Sequence, residues 1–202
     1  SVYLKKEMQL SLTREASAIR TTKETDVRVR LNIDGSGNTS IDTGIGFFNH
    51  LLTSFAFHGR FDLDITARGD LDVDGHHLCE DTGIILGDVF NKALGDLKIV
   101  RFGYSIIPMD DALILSSVDI SGRPYFETDN LFKDSFIGTF QTEWLIEFLR
   151  AFSINSRMTL HVVKLRGDNS HHIAECTMKS IAISLREAVK RTEEVLSTKG
   201  VL

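Results

Sequence analysis

The chain reads His76-His77-Leu78-Cys79-Glu80 at one point and His171-His172-Ile173-Ala174-Glu175 about 95 residues later. Both stretches follow the pattern His-His-x-x-Glu, and together they contain four of the seven histidines. A motif that returns after roughly half the length of a chain indicates an internal repeat. These stretches therefore predict a fold that is built from two related halves.

The repeat extends beyond the two pentapeptides. In both halves an alternating strand ends in a turn, an amphipathic helical stretch follows, and a Gly-Asp pair precedes the histidine doublet. Upstream of these segments, Glu24 and Asp111 fall at the same offset. The matching segments are 31–35 with 118–122, 50–55 with 147–152, and 69–70 with 167–168.

The periodicity of apolar residues predicts the elements of each half. Residues 27–33 and 61–67 alternate apolar and polar side chains, which is typical of strands with one buried face. Apolar residues recur at helical spacing in 47–56, and helical patterns also cover 84–94 and 178–195. The order strand, strand, helix, strand, helix thus occurs twice. It predicts an α+β fold in which sheets pack against a helical layer.

The bulk composition fits one compact unit. Only two prolines occur in 202 residues, and no low-complexity linker separates the halves. We expect residues 1–202 to form a single domain of two repeats, about 14–100 and 101–196.

Composition also excludes several classes of function. The net charge is −5 and no Lys/Arg-rich stripe is present, so we expect no nucleic-acid partner. No apolar run is long enough to predict a membrane span, and no signal-peptide core is seen at the start. Two cysteines in 202 residues indicate a reducing compartment rather than a disulfide scaffold. We therefore expect a cytoplasmic protein.

The spacing within each doublet points to metal binding. Residues three and four apart share a helix face, whereas adjacent residues diverge by roughly 100°. Glu80 can therefore share a face with His76 or His77, but the two histidines cannot easily serve one ion. Each doublet is predicted to contribute to two metal sites. Four imidazoles and two carboxylates favour Mn, Fe or Zn over Ca or Mg. The alternative is two polar helix starts with solvated histidines, and the repetition argues against it.

The cysteines allow a second interpretation of the metal site. Cys79 lies three residues after His76, and a thiolate ligand there would favour Zn. The repeat has Ala174 at the matching position, so such a ligand would serve only one of two equivalent sites. We interpret Cys79 and Cys176 as small buried hydrophobic residues.

Five ordered sequence blocks resemble those of a known family. They are Thr43-Gly44-Ile45-Gly46-Phe47-Phe48-Asn49-His50-Leu51-Leu52, Asp74-Gly75-His76-His77 with Glu80-Asp81, Ser121-Gly122-Arg123-Pro124-Tyr125, Asn169-Ser170-His171-His172 with Glu175, and Ser197-Thr198-Lys199-Gly200. Together they resemble the imidazoleglycerol-phosphate dehydratase family, a lyase family of histidine biosynthesis, over essentially the whole chain.

The resemblance implies a reaction and a metal. Members of this family bind two Mn(II) ions per active site and dehydrate imidazole glycerol phosphate to imidazole acetol phosphate. Many of them carry histidine where this chain has Glu147, and carboxylate is also a good Mn(II) ligand. The metal ligands implied for this chain are His50, His76, His77, Glu80, Glu147, His171, His172 and Glu175.

The resemblance also implies a mechanism and a substrate site. A metal-bound imidazolate would expel the hydroxyl, a diazafulvene-like intermediate would follow, and Glu24 would act as the catalytic acid/base. From the sequence alone the basic residues read as solvated charges; Arg123 has the best independent case, because it follows a glycine at a strand end. The substrate-binding residues implied are Glu24, His50, His58, His76, Glu80, Arg101, Arg123, His171, Lys179, Ser197, Thr198 and Lys199.

The family further implies an assembly. Its members form homo-24-mers with metal sites at subunit interfaces, so we expect the same of this chain. Two other functions fit the donors alone. One is a dinuclear hydrolase that uses a metal-activated water, and the other is a metal storage or sensing protein.

Overall fold

The computed structural model describes residues 13–95, 98–194 and 197–200. Its first half contains four strands and two helices in the order strand, strand, strand, helix, strand, helix. These elements are β1 (Glu15–Thr21), β2 (Thr25–Asn32), β3 (Thr39–Asp42), α1 (Gly46–Gly59), β4 (Asp62–Gly69) and α2 (His76–Leu94).

The second half repeats this order with one insertion, a short hairpin before its first helix. Its elements are β5 (Phe102–Met109), β6 (Ala112–Asp119), β7 (Tyr125–Thr128), β8 (Phe136–Ile137), β9 (Phe140–Gln141), α3 (Thr142–Asn155), β10 (Thr159–Arg166) and α4 (Ser170–Ala188). The β8–β9 hairpin has no counterpart among the described residues of the first half.

The two large sheets have matching topologies. The first has the strand order β1-β2-β4-β3 and the second has the order β5-β6-β10-β7. In each sheet the first three strands pair antiparallel and the last strand pairs parallel to its neighbour. The predicted α+β fold with an internal duplication is therefore confirmed.

Strand β2 shows why the alternating pattern is a reliable signal. Val27, Val29 and Leu31 are buried, whereas Arg28 and Arg30 between them are exposed. Successive side chains of a strand point to opposite faces, so this alternation buries one face against the helices and leaves the other to solvent.

The helices of the two halves pack against each other between the sheets. Helix α2 packs on β1 and β2, and α4 packs on β5 and β6; α1 lies against α4, and α3 lies against α2. Glycines on α2 allow the close approach of α3, because a Cβ at Gly83 would lie 2.6 Å from the carbonyl oxygen of Phe148. Aromatic rings fill the space between the halves; for example, the ring centroids of Phe55 and Phe152 are 5.9 Å apart.

All four described helices run in the same direction. At the N-cap of α2, Gly75 faces Trp144 of α3, and about three turns later Gly87 faces Phe152 and Asn155. Contacts between α1 and α3 advance in the same sense, from Phe48 with Phe148 to Phe55 with Phe152. Helices α1 and α4 also run the same way. Phe47 near the start of α1 lies beside His171 near the start of α4, and further along both helices the charge of Lys179 acts on His58. Four helix N-termini therefore gather at one end of the molecule, where their dipoles create a positive potential.

The structure corrects several predicted boundaries. The first half has one strand more than the predicted order, and the second half has three more, two of them in the β8–β9 hairpin. The helix predicted for 84–94 begins at His76, because its polar first turn lies outside the hydrophobic pattern. The helix predicted for 178–195 runs from Ser170 to Ala188; the chain then turns, and Arg191 pairs with Ile99. Val195 lies outside the described residues. The division into repeats of about 14–100 and 101–196 within one domain stays a prediction.

Candidate active site

The first histidine doublet opens helix α2. A Cβ at Gly75, just before it, would lie 2.7 Å from the Trp144 ring, so a larger residue there would force this ring to shift. Nε2 of His76 lies 3.5 Å from Oε2 of Glu80, the i,i+4 contact that the sequence predicts. Nδ1 of His77 lies 3.0 Å from Oδ2 of Asp70 and 3.4 Å from Oε2 of Glu24.

The second doublet opens helix α4 in the same way. Asn169 caps this helix, its side chain accepting a hydrogen bond from the backbone N–H of His172. Nε2 of His171 lies 3.4 Å from Oε1 of Glu175. Nδ1 of His172 lies 2.7 Å from Oδ1 of Asp111, and its Nε2 lies 3.4 Å from Oδ2 of Asp110.

Residues of the two halves meet at His50. Its Nε2 contacts Oε1 of Glu175, so α1 of the first half and α4 of the second half supply one group of donors. Phe47 packs between the His50 and His171 rings, with centroid distances of 6.2 Å and 5.1 Å. The structure thus brings together His50, His171 and Glu175, three of the implied metal ligands.

Charge and hydrogen bonding shift the pKa values of several of these groups. Burial would raise the pKa of Glu175, but the contact with His50 and the nearby cations outweigh it and lower that pKa. The hydrogen bond to Asp70 raises the pKa of His77 despite some desolvation. Backbone N–H groups and His172 lower the pKa of the Asp111 carboxyl far below its ordinary value. Burial, followed by the charges of Lys179 and Arg60, lowers the pKa of His58.

Glu147 lies on α3 and is the counterpart of His50 in the repeat. Its carboxylate is 3.9 Å from Nε of Arg150, one turn further along the same helix. Trp144 faces Gly75 and Phe148 faces Gly83, so Glu147 lies at the level of the first turns of α2.

The donors near the first doublet fit a divalent metal ion. Glu24, Asp70 and His77 each offer one ligand atom, and these atoms lie within 4.8 Å of one another. The Oδ1 atom of Asp70 is buried and has no hydrogen-bond partner among the described residues. A mixed set of imidazole and carboxylate donors suits Mn, Fe or Zn.

The cysteines take no part in this arrangement. Cys79 and Cys176 are both free and buried. Burial raises the pKa of each thiol, so neither is a ready thiolate ligand.

The basic residues implied for phosphate binding form two separate groups. His58 lies about two turns after His50 on α1, and Lys179 lies about two turns after His171 on α4. The charge of Lys179 acts on His58, so the two residues form one group. Arg101 and Arg123 lie elsewhere, around the carboxylate of Asp119. The φ angle of Arg101 is 77°, which is strained for a residue with a side chain. Strained backbone conformations of this kind are concentrated at functional sites.

Helix α4 separates these two groups. The N–H of Arg101 donates to the carbonyl of Ala188, at the C-terminal end of α4, whereas His171 lies at the N-terminal end. At 1.5 Å per residue, the backbones of His171 and Ala188 are about 26 Å apart. Within one chain the arginine group and the histidine group do not converge.

The segment with Ser197, Thr198 and Lys199 forms an exposed turn. The N–H of Lys199 donates to Oγ of Ser197, and that of Gly200 donates to the carbonyl of Ser197.

Sequence reasoning missed three acidic residues as partners of the second histidines, namely Asp70, Asp110 and Asp111. Two signals for them were present in the sequence. Asp70 belongs to the repeated Gly-Asp pair, and Asp111 is the counterpart of Glu24.

Fold and site together define a class of proteins. Its members are duplicated α+β chains that carry histidine and carboxylate donors at the N-termini of parallel helices. The family model for imidazoleglycerol-phosphate dehydratase matches residues 43–185. The chain belongs to the imidazoleglycerol-phosphate dehydratase family.

Individual relatives agree with this assignment. The chain is 54% identical over 193 residues to an imidazoleglycerol-phosphate dehydratase of Thermoanaerobacter pseudethanolicus, covering 94% of this chain and all of the relative. The crystal structure of the Staphylococcus aureus enzyme is 38% identical with a TM-score of 0.80, covering 88% of this chain and 99% of that one. The crystal structure of the Pyrococcus furiosus enzyme in complex with (S)-C348 is 44% identical with a TM-score of 0.81. The match covers 92% of this chain and 100% of that one.

Within the described part of the chain, none of the helices combines the length and apolar character needed to cross a bilayer.

Proposed function

We propose that this protein is a hydro-lyase that dehydrates imidazole glycerol phosphate to imidazole acetol phosphate in histidine biosynthesis. The observation that carries the proposal is the contact of His50 with Glu175, which lies beside His171. Side chains distant in sequence thus form one donor group, in a chain 54% identical to a relative of that name.

The metal we propose is Mn(II), with two ions per active site. The residues that would hold these ions are His50, His76, His77, Glu80, Glu147, His171, His172 and Glu175. Bound metal would supply Lewis acidity that stabilises a deprotonated imidazole ring and orients the substrate. The lowered pKa of Glu175 keeps its carboxylate charged and available as a ligand.

Glu24 is the acid/base that we propose. Its side chain is 54% exposed, and its carboxylate lies 3.4 Å from Nδ1 of His77, so it borders the donors yet faces open space. For the course of the reaction we propose that the hydroxyl leaves before the neighbouring proton, with a diazafulvene-like intermediate between the two steps. Glu24 would take up the proton, which is the acid/base role that the family resemblance implies for it.

The remaining substrate contacts that we propose surround the ring and the phosphate. His50, His76, Glu80 and His171 would contact the ring end of the substrate. His58, Lys179, Arg101, Arg123, Ser197, Thr198 and Lys199 would contact the phosphate. Arg123 has the most accessible guanidinium of its group, with 70% of its side chain exposed, and guanidinium binds phosphate in a bidentate way.

The length of α4 supports a site that is shared between copies of the chain. A substrate with a short glycerol phosphate chain cannot reach across about 26 Å from His171 to the Arg101 region. We therefore propose that the histidine end of one copy meets the arginine end of another, in a homo-24-mer with metal sites at subunit interfaces. The free, buried thiols of Cys79 and Cys176 support a reducing compartment, and we propose the cytoplasm.

The test is to incubate the purified protein with imidazole glycerol phosphate and MnCl2 and to follow the ketone product. Ketone formation that stops on chelation and returns with Mn(II) supports the proposal. Release of inorganic phosphate without ketone would mark a hydrolase, and stoichiometric metal uptake with neither product would mark a storage or sensing protein. Either outcome contradicts the proposal.

A further inference from the structure

The second histidine of each doublet is hydrogen-bonded at Nδ1 to a carboxylate that sequence patterns did not assign to the site. In the first half this partner is Asp70, which directly follows β4, at 3.0 Å from His77. In the second half it is Asp111, in the turn between β5 and β6, at 2.7 Å from His172. Equivalent histidines are thus held from different loops.

The repeat shows that the two halves have exchanged these roles. The counterpart of Asp70 is Asp168, whose side chain is 85% exposed and lies 3.7 Å from the Lys133 amine. The counterpart of Asp111 is Glu24. Each half therefore uses a different one of its two corresponding carboxylates as the hydrogen-bond partner of Nδ1, although Glu24 also lies 3.4 Å from this atom of His77.

Backbone contacts fix Asp111 in its position. Its Oδ2 accepts hydrogen bonds from the N–H groups of Asp168 and Asn169, at 2.8 Å and 3.0 Å, while its Oδ1 faces His172. The Glu24 carboxylate has no backbone hydrogen bond among the described residues; the contact it makes there is with His77.

A carboxylate on Nδ1 has a known effect on a histidine ligand. It keeps the proton on Nδ1, orients the ring and leaves the lone pair of Nε2 to bind metal. In the second half an oxygen donor already accompanies that nitrogen, since Asp110 lies 3.4 Å from Nε2 of His172.

We propose that Asp70 and Asp111 are positioning residues that hold His77 and His172 with Nε2 turned toward the metal. Because Asp70 makes the hydrogen bond to His77, the more exposed carboxylate of Glu24 remains available to the substrate. This inference rests on the proposed function, because it assumes that both histidines bind the catalytic metal.

The experiment measures Mn(II) affinity of the full-length protein by competition with a chelator, without substrate. Asp70→Ala and Asp111→Ala should each weaken binding by about 10–100-fold. Asp70→Asn should recover part of the loss, because its amide oxygen still accepts a hydrogen bond from Nδ1. Asp168→Ala, the repeat counterpart of Asp70, is the matched control and should bind Mn(II) like wild type.

A second readout separates positioning from a general structural role. The thermal midpoint of the metal-free protein should be unchanged in Asp70→Ala, whereas a structural role would lower it. Glu24→Gln should retain wild-type Mn(II) affinity. If Glu24→Gln weakens Mn(II) affinity as much as Asp70→Ala, both carboxylates bind the metal directly, next to Nδ1 of His77. The inference is then wrong.

The Asp70 and Asp168 variants decide the matter even if Asp111→Ala fails to fold. Equal Mn(II) affinity in wild type and Asp70→Ala would overturn the inference while leaving the dehydratase assay untouched. A protein that forms no ketone but shows the expected affinity pattern would instead overturn the proposed function alone.

Discussion

Asp119 holds Arg101 by two bonds, with Oδ1 2.6 Å from Nε and Oδ2 3.1 Å from Nη2. Only 13% of the Arg101 side chain is exposed, and the pairing raises the pKa of its guanidinium. The same carboxylate lies 4.0 Å from Nη2 of Arg123. One aspartate therefore organises both arginines of this end, and the strained backbone of Arg101 is held in place.

Replacing Asp119 should destabilise the fold. Asp119→Asn removes the negative charge from two hydrogen bonds to a largely buried guanidinium, so the free energy of unfolding should fall by about 1.5–3 kcal/mol in urea titrations. The control is Asp64→Asn, which removes a 3.3 Å pair with Arg30 between exposed side chains. It should change stability by less than about 0.5 kcal/mol. Equal effects of the two variants would contradict the assigned role of Asp119.

Arg123→Ala tests the proposed phosphate contact. The variant should raise KM for imidazole glycerol phosphate about tenfold or more and change kcat little, because a charge-assisted bond to a remote group is lost. Steady-state kinetics provide the measurement. Arg28→Ala, on the outer face of β2 and similarly exposed, serves as the control and should leave KM unchanged. An unaltered KM in Arg123→Ala would exclude this arginine from the substrate site.

Gly103 shows how tightly β5 and α4 pack. A Cβ at this position would lie 1.9 Å from the carbonyl oxygen of Ser184, and a backbone oxygen cannot move aside like a side chain. Gly103→Ala should therefore lower the free energy of unfolding by about 3 kcal/mol or more. Gly46→Ala is the matched control, since no atom lies within 4 Å of its Cβ position. A stable Gly103→Ala protein would show that α4 can shift away from the sheet.

The stability that Asp34 contributes should depend on pH. Burial would raise the pKa of Asp34, but the hydrogen bond and charge of Arg14, with the charge of Arg191, lower it overall. A carboxyl whose pKa is lower in the folded state stabilises the protein above its unfolded pKa of about 3.9. That contribution is lost as the pH falls through the folded pKa.

Urea titrations of wild type and Asp34→Asn at several pH values measure this effect. The difference between the two proteins should be largest near neutral pH and should shrink below about pH 4. Asp88→Asn removes an exposed pair with Lys92 and should differ little from wild type throughout. A difference that grows on acidification would reverse the sign and refute the prediction.

Glu147 is the counterpart of His50 in the repeat and one of the proposed metal ligands. If it binds metal, Glu147→His should retain Mn(II) affinity within a few-fold, since both side chains are suitable ligands, whereas Glu147→Ala should weaken it. Chelator competition measures both. Glu143→Ala, one turn earlier on α3, is the control. Full affinity in Glu147→Ala would assign the residue to its ion pair with Arg150 alone.

Local patterns predicted the parts of the fold that depend on nearby residues. The alternation at Val27 and Val29 identified a strand, and the four-residue spacing of His76 and Glu80 anticipated their contact. The matching offsets of Glu24 and Asp111 also had a structural basis, since each lies against the second histidine of its half.

Features that depend on distant residues could not be read from the sequence. The shared direction of the helices arises from tertiary packing, as at Gly75 against Trp144. The pairing of Arg101 with Asp119 follows from the register of β5 and β6, which sets Phe102 opposite Asp119 and so brings the neighbouring Arg101 within reach of this carboxylate. The choice of Asp70 over Asp168 as a histidine partner depends on loop conformations that two identical Gly-Asp pairs do not distinguish.

The length of α4 has a consequence for genetics. If the histidine end and the arginine end of one chain serve different catalytic centres, a Glu24 allele and an Arg123 allele damage opposite ends of the molecule. Assemblies that contain both alleles would include centres in which neither lesion is present. Two genes that each encode an impaired protein would then complement one another within one cell, and they would fail to do so if every centre drew on a single chain.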